Sequence, residues 1–387
     1  MRFKALDGWR GLCALTVALI HLEFAGHYYD VSFVRNSYLF VDFFFVLSGF
    51  VITHSTWGRL QTSQNLFDFV LKRLARLWPL HAAVIAVMIP QEAVRAYLIS
   101  IGYFSPKVPA FEGRFSIEAM WENLAFLNAV GLRDHITWNY PSWSIGAEFL
   151  TYLVFGICIF FAARKLALVA AALSITGLLL VILVAADRPG PTIDVTYNFG
   201  FFRCLYGFFL GHLVYRAWKS APCCLGSAGE VAVTLAVIAF VQLVGTGFAT
   251  MAAPLVFAAA VWVFAAEGGI LTRALKTVPI QKLGLWSYGI YMTHTLMLLG
   301  LDKIIGFAEK RLHLDITYLE IVTYNGKPLL LPLIGNAWVM DLLALTYLAA
   351  VVALGALAYR YVEVPGQALI LRIGTRRPAA TVGAPVR

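Results

Sequence analysis

Hydrophobic residues in this chain fall into long runs separated by polar connections. A helix needs roughly 20 apolar residues to cross the hydrocarbon core of a bilayer, and ten segments approach that length. This pattern predicts an all-α polytopic membrane protein with about ten transmembrane helices. The predicted spans are Gly11–Tyr28, Ser37–His54, Leu77–Ser100, Trp143–Ala163, Leu166–Ala186, Phe199–Trp218, Val231–Phe248, Met251–Glu267, Leu283–Phe307 and Trp338–Tyr361.

Composition and charge agree with a membrane environment. Of the 387 residues, 60% are hydrophobic and 13% are charged, whereas soluble domains carry about 25% charged residues. The net charge of +9 is assigned to loops on the cytoplasmic side, because no basic run interleaved with aromatics suggests a nucleic-acid groove. An N-terminus in the cytoplasm puts about 19 of the 30 Lys and Arg residues on that side and, with ten helices, both termini there.

The connections define the predicted domain organisation. Residues 1–366 form one transmembrane domain, and residues 367–387 form a basic cytoplasmic tail that we expect to be disordered. The segment Ser55–Arg76 predicts an amphipathic helix at the cytoplasmic interface. Two longer connections, Ile101–Ser142 and Ala308–Asn336, are expected as outer loops. The five cysteines lack zinc-site spacing, so no metal is expected.

His21 is the leading candidate for chemistry, because titratable residues inside predicted spans are costly and often functional. Arg10 and His21 are eleven residues apart, so they share one helix face and lie about 16 Å apart along the axis. A neutral imidazole in such a slot suits general-base activation of an alcohol. The alternative is a histidine that packs by hydrogen bonding to a neighbouring helix, and the pattern alone leaves both open.

Glu148 is expected to lie at a depth similar to that of His21, near the outer end of the fourth predicted span. A carboxylate on the far nitrogen of His21 would fix its tautomer and raise its basicity. The alternative is that Glu148 pairs with Arg203, which also lies within a predicted span.

Arg73 and Arg76 are three residues apart and share one helix face. Arginine pairs grip phosphates, so a nucleotide-bearing acyl carrier such as coenzyme A would suit them. The alternative is binding of anionic lipid at the interface. In the second predicted span, Ser48 and Gly49 favour close helix approach, and no nucleophile elbow surrounds Ser48.

Six motifs together resemble the acyltransferase 3 family of integral-membrane O-acyltransferases, from Leu6 to about Pro365. Members of that family modify lipopolysaccharide, exopolysaccharide, nodulation factors and some macrolides. The motifs are LDGWRG at Leu6–Gly11, FFFVLSGF at Phe43–Phe50, KRLARLWPL at Lys72–Leu80, NYPSWSIGAE at Asn139–Glu148, LGLWSYGIYMTH at Leu283–His294 and YRYVEVP at Tyr359–Pro365.

The resemblance implies an O-acetyltransferase of the bacterial inner membrane, with His21 as essential base and Glu148 at the place of the family's carboxylate. It implies that Arg10, Arg73 and Arg76 serve the donor, acetyl-coenzyme A or another acyl-coenzyme A. The expected acceptor is a carbohydrate or glycolipid hydroxyl, and a homo-oligomer is left open. The residues expected to bind the acceptor are Tyr140, Trp143, Ser144, Arg203 and His294.

Two departures and two rival interpretations accompany the resemblance. Trp9 replaces the usual aliphatic residue of the opening motif, and the sequence has no fused esterase-like domain. One rival is a transporter or flippase for a lipid-linked sugar, although no matched half-helices are evident. The other is a structural or regulatory membrane subunit, which would leave His21 and Glu148 without a chemical role.

Overall fold

The computed structural model describes residues 2–103, 107–188, 190–222, 224–312, 316–324 and 327–374. Helices dominate this part of the chain. They are α1 (Lys4–Ile20), α2 (His27–Asp30), α3 (Ser32–Arg35), α4 (Phe40–Thr56), α5 (Ser63–Ser100), α6 (Ile117–Leu124), α7 (Ser142–Ala162), α8 (Leu166–Ala186), α9 (Gly200–Ser220), α10 (Gly226–Leu243), α11 (Ala253–Ala265), α12 (Ile270–Leu275), α13 (Val278–Leu312), α14 (Ala337–Ala358) and α15 (Val364–Gly374). Two strands complete the fold, β1 (Thr317–Tyr324) and β2 (Lys327–Ile334).

Each predicted span overlaps a helix of the structure. Six helical segments of the described chain are long and apolar enough to cross a membrane, judged by length and composition. The architecture is therefore that of a helical membrane protein, while ten spans and two cytoplasmic termini stay predictions. These six segments are Ser32–Thr56, Ser63–Ser100, Ser142–Ala186, Gly226–Leu243, Phe248–Ala265 and Ala337–Gly374.

The first helix begins and ends earlier than predicted. We expected Gly11–Tyr28, but α1 ends at Ile20 and His21 is its C-cap residue. In a continuing helix, the Val17 carbonyl would accept the backbone N–H of His21. Instead the backbone N–H of His21 donates to the Leu19 carbonyl. The Val17 carbonyl is hydrogen-bonded to Nδ1 of the His21 ring. The side chain thus replaces a helical hydrogen bond at the point where the chain turns away.

The predicted interfacial helix and third span form one continuous helix, α5, of 38 residues. The Thr62 hydroxyl accepts the backbone N–H of Asn65 and caps its first turn. Phe69 and Ala75 are buried, so this amphipathic part is covered by protein. The predicted tail is also partly structured, because α15 continues to Gly374, while residues 375–387 lie outside the described range.

A β-hairpin corrects the all-α prediction. Strands β1 and β2 pair antiparallel within the connection expected to be an outer loop, with Thr317 opposite Ile334. The sequence signal was present, since β-branched and aromatic residues flank Asn325-Gly326, a strong hairpin dipeptide. The hairpin is anchored next to the His21 turn, because the Ala25 N–H donates to the Pro332 carbonyl at 2.9 Å.

Helices α4 and α9 pack in backbone contact through two glycines. A Cβ added at Gly49 would lie 1.9 Å from the Phe208 carbonyl oxygen, and one added at Gly211 would lie 2.0 Å from the Val46 carbonyl oxygen. The sequence-based expectation that Gly49 permits close helix approach is therefore confirmed.

Replacing Gly49 with alanine should force these helices apart. We expect the free energy of unfolding in detergent to fall by about 1–3 kcal/mol, the usual cost of overpacking. Gly300→Ala is the matched control, because a Cβ at Gly300 in α13 meets nothing within 4 Å. Equal thermal unfolding midpoints for the two variants would contradict the proposed contact between α4 and α9.

Candidate active site

A cavity of about 190 Å³ opens among helices α1, α4, α5, α7 and α13. Four charged side chains line it, namely the three arginines predicted to serve a donor and Glu148. The arginines come from two different helices, since Arg10 lies on α1 while Arg73 and Arg76 lie on α5. The structure therefore brings together residues that are more than 60 positions apart in sequence.

Arg10 is held by the close contact between α1 and α13. A Cβ at Gly284 would lie 2.2 Å from the Asp7 carbonyl oxygen, so the two backbones touch. The Arg10 Nε donates to Ser287 Oγ at 2.9 Å and its Nη2 donates to the Gly284 carbonyl at 2.8 Å. Asp7 lies 3.3 Å from the same Nη2. These bonds fix one side of the guanidinium at the cavity wall.

Arg76 and Arg73 differ in their partners. Arg76 Nη1 donates to Glu363 Oε2 at 2.7 Å, and its guanidinium lies 5.5 Å from the Tyr288 ring centroid. The Arg73 guanidinium lies 5.9 Å from the centroids of the Phe69 and Tyr152 rings. Within the described part of the chain, the buried Nε of Arg73 has no hydrogen-bond partner. Arg73 therefore presents a cation whose donors are available to an anion.

Glu148 ends a short chain of hydroxyl groups. The Tyr152 hydroxyl donates to Glu148 Oε1 and lies 2.8 Å from Ser48 Oγ. Because the Tyr152 proton goes to the carboxylate, Ser48 must be the donor of that second bond. Ser48 is thus a hydrogen-bond donor within the cavity wall.

His21 does not line the cavity. Its ring is partly exposed and lies 4.9 Å from the ring centroid of His294 and 5.0 Å from that of Tyr140. Nδ1 bonds to the Val17 carbonyl at 2.6 Å. A carbonyl only accepts, so Nδ1 carries the proton, and Nε2 of the neutral ring has a free lone pair.

His294 adopts the same tautomer as His21. Its Nδ1 donates to the Tyr291 carbonyl at 2.6 Å. In the described structure, its Nε2 is buried without a hydrogen-bond partner. Two imidazoles with available Nε2 lone pairs therefore lie side by side, and Tyr140 packs on the first of them.

Tyr291 connects the cavity to this histidine pair, and Ser144 bonds to it. Both line the cavity, and the Tyr291 ring centroid lies 6.0 Å from that of His294. The Ser144 hydroxyl donates to the Pro141 carbonyl, so the Tyr291 hydroxyl is the donor in its 2.8 Å bond to Ser144.

The predicted contact between His21 and Glu148 is wrong. In the described structure the partner of Glu148 is Tyr152 and that of His21 is the Val17 carbonyl. Helical spacing gave both residues a similar depth, but it carries no information on which neighbouring helix each side chain faces. The Val17 carbonyl therefore holds the tautomer that Glu148 was expected to fix.

Arg203 also departs from its expected role. It is fully buried and donates to both carboxylate oxygens of Asp42, at 3.0 and 2.9 Å. It also donates to Asp194 at 2.7 Å. Trp143 lies under its guanidinium, 5.4 Å from ring centroid to Cζ. Neither the alternative pairing of Arg203 with Glu148 nor acceptor binding by Arg203 and Trp143 agrees with this geometry.

Sequence reasoning missed Tyr152, Ser287, Tyr291 and Glu363. Tyr152 follows Glu148 by four residues, and that spacing places both on one helix face. Ser287 and Tyr291 lie in the motif from which we singled out only His294. In the part of the chain that the structure describes, no cluster of His, Cys, Asp and Glu could hold a metal ion.

Comparisons with known proteins identify relatives of this chain. The chain is 33% identical over 165 residues to Protein 2 in picA locus of Rhizobium radiobacter, across 40% of this chain and 81% of that protein. It is 27% identical over 162 residues to the peptidoglycan O-acetyltransferase OatA of Listeria monocytogenes, across 39% of this chain and 23% of OatA. It is 23% identical to the acyltransferase MdmB of Streptomyces mycarofaciens, across 100% of this chain and 96% of MdmB.

No solved structure matches the chain. The model of one family, described as an acyltransferase domain, matches residues 3–360. That range contains every residue of the cavity and of the histidine pair. The chain belongs to the acyltransferase 3 family.

Proposed function

We propose that this protein transfers an acyl group, most simply acetyl, from acyl-coenzyme A to a hydroxyl of a carbohydrate or glycolipid. One observation carries the proposal. Three guanidinium groups converge on a single cavity, and ring contacts lead from its lining residue Tyr291 through His294 to His21. Family membership supports the reaction class. One relative is a peptidoglycan O-acetyltransferase, which supports a glycan acceptor.

The donor is expected to bind through its phosphates at the arginines. Arg73 is the main contact, because its donors have no partner in the described chain. Arg10 and Arg76 each keep N–H groups beyond those bonded to protein. Arginine forms strong charge-assisted bonds with phosphate. The guanidinium of Arg73, unpaired among the described residues, lies beside the cavity and favours phosphate binding over a packing role.

His21 is proposed as the general base. Its Nε2 takes the proton of the acceptor hydroxyl, and the hydroxyl oxygen attacks the thioester carbonyl. The carbon–sulfur bond then breaks, and the imidazolium returns the proton to the coenzyme A thiolate. The products are the acyl ester and free coenzyme A. The Val17 carbonyl supports this role, because its bond to Nδ1 leaves Nε2 as the basic nitrogen.

The neighbours of His21 fit an acceptor on the side away from the cavity. His21 and Tyr140 are both partly exposed, so a hydroxyl can approach there. The thioester would arrive from the opposite direction, past Tyr291 and Ser144. We assign His294 and Tyr140 to acceptor positioning. This two-sided arrangement fits a donor and an acceptor that enter from different faces of a membrane.

Replacing Arg73 with alanine should raise the KM for acetyl-coenzyme A about tenfold or more, because a bond to a charged group is worth about 1.5–3 kcal/mol. The assay measures free thiol released from acetyl-coenzyme A by the purified full chain in detergent, with cell-envelope carbohydrate as acceptor. Lys72→Ala is the matched control, since Lys72 is the exposed neighbour and does not line the cavity.

The same assay separates the proposal from its rival. Wild-type protein that consumes acetyl-coenzyme A and acylates the carbohydrate supports an acyltransferase. Movement of a lipid-linked sugar across the membrane without any thiol release would contradict the proposal and favour a flippase.

A further inference from the structure

Glu363 is a buried carboxylate next to the cavity that the proposed reaction does not use. Its side chain is 2% exposed, and it ends a π-helical turn, Tyr359–Glu363, between α14 and α15. One oxygen accepts Arg76 Nη1 at 2.7 Å. The other, Oε1, has no hydrogen-bond partner in the described structure. A π-turn is rare and occurs often at functional sites.

The backbone around Glu363 is built to reach α5. A Cβ at Gly366 would lie 2.4 Å from Cβ of Pro79, and one at Gly374 would lie 2.4 Å from Cδ2 of Leu71. Helix α15 therefore runs closely along the segment of α5 that carries Arg76. The π-turn changes the rotation of the helix just before this contact and brings Glu363 to the Arg76 guanidinium.

The guanidinium of Arg76 is held from two directions. Glu363 binds Nη1, and the Tyr288 ring lies 5.5 Å from Cζ. The ring itself is fixed, because the Tyr288 hydroxyl donates to the Leu77 carbonyl at 2.6 Å. Arginine has five N–H donors in a rigid fork. Fixing one edge of that fork directs the remaining donors to the cavity that Arg76 lines.

Glu363 is the buried member of this ion pair, and burying a charge is a poor way to gain stability alone, since desolvation offsets much of the attraction. We propose that Glu363 is a positioning residue that holds Arg76 against the cavity wall, so that its free N–H groups meet the phosphates of the acyl donor. This inference rests on the proposed function.

The test is Glu363→Gln, which keeps the size of the side chain and removes its charge. We expect the KM for acetyl-coenzyme A and the Kd for coenzyme A to rise about tenfold, with kcat within about twofold, because His21 is untouched. Glu363→Asp keeps the charge and should recover part of the affinity. If Glu363→Gln is not recovered as folded protein, the Kd of Glu363→Asp relative to wild type decides.

Glu92→Gln is the matched control. Glu92 is buried and pairs with Arg95 at 2.5 Å on the same helix, α5, without lining the cavity. If breaking any buried pair on α5 weakened binding, both variants would raise the Kd equally, and that result would overturn the inference. If wild type is active and the Kd of Glu363→Gln for coenzyme A is unchanged, the positioning role of Glu363 is overturned and the proposed function stands. A wild type that neither binds coenzyme A nor uses acetyl-coenzyme A overturns the proposed function as well.

Discussion

Replacing His21 with alanine is expected to abolish acyl transfer while leaving the protein folded in the membrane. Removal of a general base typically costs about 10²–10⁴-fold in rate, and the loss should appear in kcat with the KM for acetyl-coenzyme A nearly unchanged. The donor-binding arginines lie in the cavity, which His21 does not line. A variant of the base should therefore still bind coenzyme A.

The fold should tolerate this change because of where His21 sits. It follows the last residue of α1 and is partly exposed, so its removal leaves no closed cavity. The variant loses the ring bond to Val17, which is worth about 0.5–1.5 kcal/mol. Unfolding midpoints in detergent should accordingly fall only slightly.

His27→Gln provides the control for this experiment. His27 lies six residues further along and pairs with Asp341, and its side chain is 52% exposed. The His27→Gln variant should retain the wild-type kcat. Full acylation of the carbohydrate acceptor by His21→Ala would remove the base assignment. In that case His294, whose Nε2 is also available, would be the next residue to test.

The helical part of the fold could be predicted largely from hydrophobic runs. The bounds predicted for the fifth span are those of α8, Leu166–Ala186, because a run of apolar residues between two polar connections fixes a helix by itself. The hairpin was missed because run length alone does not weigh alternation or the Asn-Gly dipeptide in the sequence. The end of α1 was missed because a single side-chain bond from His21 to Val17 sets it.

The candidate site was also predicted only in part from the sequence. Arg10, Arg73 and Arg76 line one cavity, which fits the resemblance's implication that all three serve one donor, while their binding of its phosphates stays a prediction. The partner of Glu148 could not be predicted, since helical periodicity specifies a face and a depth but not the helix opposite. Choosing between Tyr152 and His21 as that partner requires the packing of α4, α5 and α7 around the carboxylate.

The ion pair of Arg203 and Asp42 is expected to give the largest change in stability. Both side chains are 0% exposed, so Arg203→Met leaves a buried carboxylate without its partner. Breaking a buried pair by removing one member costs about 3–5 kcal/mol. The free energy of unfolding, measured in detergent with denaturant, should fall by that amount.

A double variant separates stability from function at this position. Replacing a whole buried pair with apolar residues is often neutral or stabilising, so Asp42→Leu with Arg203→Met should recover most of the lost stability. Asp194, the second partner of Arg203, is 43% exposed and stays hydrated when the pair is removed. The recovered protein should acylate its acceptor at near wild-type rate, because the Arg203 guanidinium already donates to Asp42, Asp194 and the Tyr38 carbonyl. If the double variant is stable but has a raised KM for the acceptor, Arg203 would have to be assigned to acceptor binding after all.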